Sequence, residues 1–161
     1  MRTVSELLAE DVQAYPRPPA LDRIVLPVEV ILGGEMVART TRALRVCETH
    51  HAPTYYIPPE DIAPGALSEA AGSSYCEWKG SARYWTVAAG GQTRRHAAWS
   101  YPSPTPAFAA LKDHMAFYPG LMEACRVGGV DVTPQPGDFY GGWVTPNLLG
   151  TVKGAPETRW W

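Results

Sequence analysis

The chain has 161 residues, with 14 Lys and Arg against 16 Asp and Glu for a net charge of −2, so it lacks the basic field that duplex nucleic acid demands. Its length suits one domain, and 45% hydrophobic with 11% aromatic residues supply a core that needs no disulfide or metal staple. No run approaches the ~18 apolar residues of a membrane span, and Leu7-Leu8-Ala9 between Glu6 and Glu10 is too short and too acidic for a signal peptide, so a cytoplasmic protein with neither nucleic acid nor membrane as partner is expected.

Val4, Leu7, Leu8 and Val12 recur at helical spacing behind Thr3 or Ser5 as a cap, which predicts a short N-terminal helix within residues 1–14, stopped by Pro16, Pro18 and Pro19. From Ile24 the period changes to two. Val28, Val30 and Leu32 alternate with Glu29 and Ile31, and Gly33-Gly34 then leads into Met36-Val37-Ala38 as a hairpin. Gly90-Gly91 and Gly128-Gly129 stand at two more strand junctions, so the expected body over 15–133 is a compact, mainly β, antiparallel domain. One flanking helix is predicted near 105–118, where Thr105 caps, Pro106 takes the first turn, Phe108, Leu111, Met115 and Tyr118 form a stripe, and Pro119-Gly120 ends the run. Residues 134–161 read as an irregular tail wrapped against the body through Phe139, Tyr140 and Trp143.

Three widely spaced cysteines, Cys47, Cys76 and Cys125, with no C-x-x-C pair, argue for reduced thiols, and four scattered histidines give no metal-ligand set. No cofactor is expected. The phosphate-loop, dinucleotide, nucleophile-elbow and zinc-helix signatures are all absent. What remains is a concentration of aromatic and ionisable side chains. In Tyr75-Cys76-Glu77-Trp78-Lys79-Gly80, a cation near Cys76 would make its thiol a nucleophile. Strict strand alternation instead turns Lys79 away and leaves Cys76 a small buried hydrophobe, the favoured reading. Glu48 and His50 share a face at strand spacing, with His51 opposite, and a carboxylate beside an imidazole can orient a general base. An exposed polar edge is the plainer alternative. Tyr55 and Tyr56 alternate, so one of them belongs to the core, and Pro58-Pro59-Glu60-Asp61 reads as a short helical turn or loop. Arg39, Arg42 and Arg45 fall on alternating faces and read as a solvated strand. The tryptophans at 78, 85, 99, 143, 160 and 161 are core in the simpler reading and pocket walls in the other.

The run Cys76-x-Trp78-Lys79-Gly80-x-Ala82-x-Tyr84-Trp85, then Ala98-Trp99-x-Tyr101-Pro102-x-Pro104 and Phe117-Tyr118, resembles the domain-of-unknown-function 427 family of bacterial and fungal proteins. Glu48 followed by Tyr55-Tyr56-Ile57-Pro58 and Asp61 is similar to the upstream part of that pattern. Phe139-Tyr140-Gly141-Gly142-Trp143 resembles the extension of its actinobacterial members, and Trp160-Trp161 departs from it. The resemblance implies a β fold related to tent-like zinc-binding domains, held here by packing because the C-x-x-C knuckles are missing. It also brings an inherited nucleotidyltransferase label, which Asp131 and Asp138, without a phosphate-cradling turn, do not support.

The expected function is binding of a small organic ligand, with or without chemistry on it. Lys79, Glu48 and Cys76 are the candidate catalytic groups, and Tyr56, Trp78, Tyr84, Trp99, Tyr101 and His51 the candidate walls. The competing expectation is a non-catalytic recognition module whose aromatics form an exposed groove. A homodimer is left open.

Overall fold

The computed structural model describes residues 1–137 and 139–158; Asp138, Trp160 and Trp161, which entered the sequence reading, lie outside the described residues. In chain order the strands are β1 (Arg2–Val4), β2 (Glu10–Asp11), β3 (Ala20–Ile24), β4 (Val28–Leu32), β5 (Glu35–Thr40), β6 (Ala43–Cys47), β7 (Thr54–Tyr56) and β8 (Leu67–Cys76). They continue with β9 (Gly80–Ala89), β10 (Gln92–Ser100), β11 (Met115–Phe117), β12 (Ala124–Val127), β13 (Val130–Asp131), β14 (Thr133–Pro134), β15 (Trp143–Val144) and β16 (Leu148–Leu149). Three four-stranded sheets result, ordered β1-β3-β6-β7, β11-β10-β9-β8 and β13-β12-β4-β5. The fold is mainly β and mostly antiparallel, with β1 on β3 and β16 on β2 as parallel pairs. No helix is long and apolar enough to cross a membrane.

All three Gly-Gly pairs turn hairpins, β4–β5, β9–β10 and β12–β13, with both glycines of each at positive φ. Such turns match the twist of the flanking strands and favour residues that tolerate a left-handed backbone. The first two turns also touch each other: a Cβ on Gly90 would lie 1.9 Å from the Gly33 carbonyl oxygen, so only glycine fits that crossing.

Two helical expectations are corrected. Residues 1–14 form β1, β2 and a 3-10 turn at Val12–Ala14 instead of a helix. A helix this short is marginal in water, and pairing with β3 buries Val4 against the core while Glu10 is drawn onto Arg45. Near 105–118 the helix shrinks to a 3-10 segment at Pro106–Leu111, which still buries Phe108 and Leu111. The chain then extends as β11, because Met115–Phe117 pairs with β10 on one side and Met115 exchanges two 2.8 Å backbone hydrogen bonds with Ile57 on the other. Pro59–Asp61 is the short helical turn expected there.

The Ile57–Met115 bridge joins β6–β7 to β10–β11 as a partition between two cores. Tyr55, Met115 and Phe117 belong to the larger, which also receives Ile24, Val28, Val30 and Val127. Leu44, Val46, Tyr56, Ala116 and Trp99 belong to the smaller. Both tyrosines are therefore buried, where alternation alone placed only one inside.

The expectation of solvated arginines fails at Arg45. Its guanidinium is fully buried, 3.0 Å from Asp22 and 2.8 Å from Glu10; Tyr15 donates to Glu10 at 2.9 Å and Arg2 closes on Asp22 at 3.1 Å. Arg42 pairs with Asp61, and Arg39 lies 3.6 Å from Glu29. The buried cluster ties β2, β3 and β6 together. Replacing Arg45 by Met strands two carboxylates and is expected to cost about 3–5 kcal/mol in urea denaturation. Adding Glu10→Gln and Asp22→Asn should recover a large part of that loss, and an unchanged unfolding midpoint for Arg45→Met alone would refute the role.

Candidate functional site

The smaller core does not close over completely. A cavity of about 420 Å³ opens on it, with walls from β6 (Val46), the 48–54 segment, the β8–β9 hairpin, the end of β10 and the tail. The hairpin turn is Glu77-Trp78-Lys79, with Cys76 paired to Gly80 across it. This revises the strand reading of 76–80: Lys79 and Cys76 flank one turn and line one cavity, so alternation does not separate them. Thr105 holds the turn, its hydroxyl donating to the Trp78 carbonyl and its backbone N–H to that of Lys79 at 3.2 Å. The expected side-chain N-cap is thereby given up.

Glu48, His51, Cys76, Trp78, Lys79, Tyr84, Trp99 and Tyr101 all line the cavity. Tyr56, the ninth residue singled out from sequence, lies fully buried beneath it and accepts a 3.3 Å hydrogen bond from the Lys79 ammonium. That ammonium also sits 5.9 Å and 5.5 Å from the ring centroids of Tyr56 and Tyr101, within cation–π range. Burial drives both phenols well above their ordinary pKa, so they stay protonated.

His50 and His51 are not on an extended segment. The chain turns there, with His50 at φ +66°, so His51 and not His50 faces Glu48, at 3.9 Å between Nε2 and Oε2. Arg17 approaches the same Glu48 carboxylate at 3.6 Å. Burial, reinforced by Lys153, Lys79 and Arg17, lowers the His51 pKa to about 4 and keeps the ring neutral near pH 7.

Sequence reasoning missed the tail's part. Between β14 and β15, Phe139, Tyr140, Gly141 and Gly142 enter the cavity wall, and Lys153 follows. Trp143 anchors this stretch: it is fully buried, donates its indole N–H to the Phe117 carbonyl at 3.0 Å and packs 5.1 Å from the Tyr55 ring. A Cβ on Gly141 would stand 2.2 Å from Trp99, and one on Gly142 would stand 2.1 Å from Gln135. The Gly-Gly pair before Trp143 was the readable trace of this close approach. Gln135 left no such signal.

Among the described residues no group of three His, Cys, Asp or Glu side chains could hold a metal ion. Asp131 is an exposed hairpin residue paired with Arg126 at 2.8 Å and is not part of the cavity wall.

A model of the domain of unknown function DUF427, labelled NTP_transf_9, matches residues 20–128. The chain belongs to the DUF427 family. No curated protein matches it. The family match spans β3 to the β12–β13 turn, so it contains Glu48, Tyr56, the Cys76–Tyr84 hairpin and the Trp99–Tyr101 wall, while the loop carrying Gln135 and Tyr140 lies beyond it.

Two outcomes are expected. Because the unfolded His51 titrates near 6.5 and the folded one near 4, the unfolded state binds more protons between those values, and stability falls as pH drops from about 6.5 towards 4 by up to roughly 3 kcal/mol. Urea melts of His51→Gln should show a shallower slope across that window, and an unaltered slope would contradict the assignment. Burial lifts the Cys47 and Cys125 thiols to about 12, whereas Cys76 is half-buried in the cavity wall. Iodoacetamide on the native protein should therefore label Cys76 first by peptide mass mapping; equal labelling of all three would contradict it.

Proposed function

We propose that this DUF427 protein binds a small organic molecule in the cavity between the β8–β9 hairpin, β10 and the tail loop. The carrying observation is the convergence of Lys79, Glu48, His51 and Lys153 with the aromatic faces of Trp78, Trp99 and Tyr140 in one concavity of about 420 Å³. Ligand sites have this character: volumes of about 300–1,000 Å³, largely apolar walls and a few placed polar groups. The aromatic walls would bury the body of the ligand, and Lys79 with His51 would orient it. Glu48 is the one cavity carboxylate placed beside a histidine, which gives it the geometry of a proton acceptor should the bound molecule react. Cys76 is a second group within the wall able to meet a ligand directly.

The transferase label attached to the family calls for carboxylates that hold magnesium beside a phosphate-cradling turn. The donor set does not fit: Glu48 is engaged by Arg17, Glu77 is exposed on the hairpin turn, and no third carboxylate lines the cavity among the described residues. No metal-dependent step is assigned.

Exposed Tyr75 and Phe139 stand on the same rim, which is the observation favouring a recognition surface as the second reading. Native and denatured mass spectrometry of freshly purified protein separates the two. The expected result is a native excess mass of about a few hundred daltons, the size class such cavities hold, or melting-temperature shifts with small metabolites, lost in Lys79→Ala and reduced in Glu48→Gln. A clean native mass with no stabilisation across a broad metabolite set would overturn the ligand reading in favour of a surface centred on Tyr75 and Phe139.

A further inference from the structure

Three features of the cavity, taken with the ligand-binding reading above on which this step rests, define the charge of what it holds. The first is the state of Lys79. Its ammonium donates to the Tyr56 hydroxyl at 3.3 Å, interacts with the Tyr101 hydroxyl, and lies within range of both ring faces. Among the described residues it has no carboxylate within ion-pair distance. An ammonium carries three donors, so two neutral phenols leave this cation with donor capacity and with its charge uncompensated by either of them. Glu48 does not neutralise it, being already in contact with Arg17.

The second feature is Gln135, which sequence reasoning overlooked. It is 2% exposed, and its amide orientation is set by two backbone groups of fixed polarity. The Ala52 N–H donates to Oε1 at 3.0 Å, and Nε2 donates to the Lys153 carbonyl at 3.0 Å. Nε2 is therefore the atom that reaches His51 Nδ1, at 3.4 Å, and it can only donate. Nδ1 accepts, so the neutral ring carries its proton on Nε2. That N–H lies 3.9 Å from Glu48, beyond hydrogen-bond reach, and is presented to the cavity as a second donor.

The third feature is the sign of the field. After burial itself, the cations Lys153, Lys79 and Arg17 lead the causes that depress the His51 pKa. Lys153 adds a second ammonium to the same wall, 5.2 Å from the Tyr140 ring. Glu48 and Glu77 also line the cavity, so the preference is local: beside Lys79 and His51 an anionic group completes the unused donors and a cationic one meets repulsion.

We infer that the ligand is a planar molecule bearing an anionic oxygen group, a carboxylate or a phosphate monoester, held by the Lys79 ammonium and the His51 Nε2–H with its ring against the Trp78 and Trp99 wall. Gln135 is a positioning residue here: it sets which His51 nitrogen carries the proton, and it joins the 48–54 segment to the tail loop.

The test uses four probes that share one ring and differ in charge: benzoate, phenyl phosphate, benzyl alcohol and benzylamine. Each is titrated at constant ionic strength into the 15N-labelled full chain. The readout is the indole N–H resonances of Trp78 and Trp99, assigned through their Phe variants. Benzoate or phenyl phosphate should shift these signals saturably, benzyl alcohol about tenfold more weakly, and benzylamine least. The stronger of the two anions identifies the group, and either order supports the inference. Lys79→Met should weaken the anions by about tenfold and abolish their advantage over benzyl alcohol, while Lys79→Arg retains part of it. Arg126→Gln, which removes the same charge from the β12–β13 hairpin, should change nothing. Gln135→Leu should reduce anion affinity while the Trp99 resonance of the free protein shows that the fold persists. Equal shifts from all four probes would overturn the anionic assignment and leave the cavity reading standing. No shift from any probe would overturn both.

Discussion

Two adjacent tyrosines that must both be buried impose the organisation of this molecule. On a strand, neighbouring side chains point to opposite faces, so Tyr55 and Tyr56 can both leave water only if β7 has protein on each side. Tyr55 enters the larger core beside Trp143, and Tyr56 enters the smaller beside Trp99 and Tyr101. The β6–β7 pair, continued through the Ile57–Met115 bridge into β10–β11, thereby becomes a wall between two packed regions. The larger region supplies the bulk of the buried apolar surface that stabilises the fold. The smaller one is richer in aromatics and poorer in aliphatic filler, and rigid rings leave a concavity where branched side chains would have interdigitated.

The two faces of that wall also separate two kinds of charge. On the larger-core side, Arg45 is paired with Glu10 and Asp22 and fully withdrawn from water. Its partners are satisfied internally, so the cluster organises β2, β3 and β6 and offers nothing to a ligand. On the cavity side, Lys79 and His51 keep donors that their neighbours do not use. A satisfied ionic network rigidifies, and an unsatisfied one at a cavity surface waits for a partner. That contrast is the physical basis for placing function at the β8–β9 hairpin and not at the more densely charged Arg45 cluster.

The tail is an integral part of the cavity. Trp143 plugs the larger core, and the chain before it passes so close to Trp99 at position 141 and to Gln135 and Ala52 at position 142 that neither admits a Cβ. Gln135, buried under the same stretch, bonds to the 48–54 segment on one side and to Lys153 on the other. One side chain thus couples the proton position of His51 to the docking of a segment outside the family-matched region. The transferase label finds no donor set in this arrangement, whereas the aromatic residues, Lys79 and His51 line one cavity.

What the sequence determined by itself was whatever local chemistry dictates. Gly33-Gly34, Gly90-Gly91 and Gly128-Gly129 announced three hairpins because a left-handed two-residue turn has few alternatives, and together they specified a mainly β, antiparallel fold. The clustering of aromatic and ionisable residues named eight of the residues that line the cavity and the one beneath it. Only the tertiary structure could decide the rest, because each of those decisions pits a local preference against a distant partner. The helical period of residues 1–14 yielded to β3 and to Arg45, and the stripe at 105–118 yielded to the open edges of β10 and Ile57. The spacing of Glu48 and His50 pointed to the wrong histidine because the chain turns at His50. Gln135 and Lys153 came to the site across more than eighty residues from the 48–54 segment, a proximity that no periodicity records.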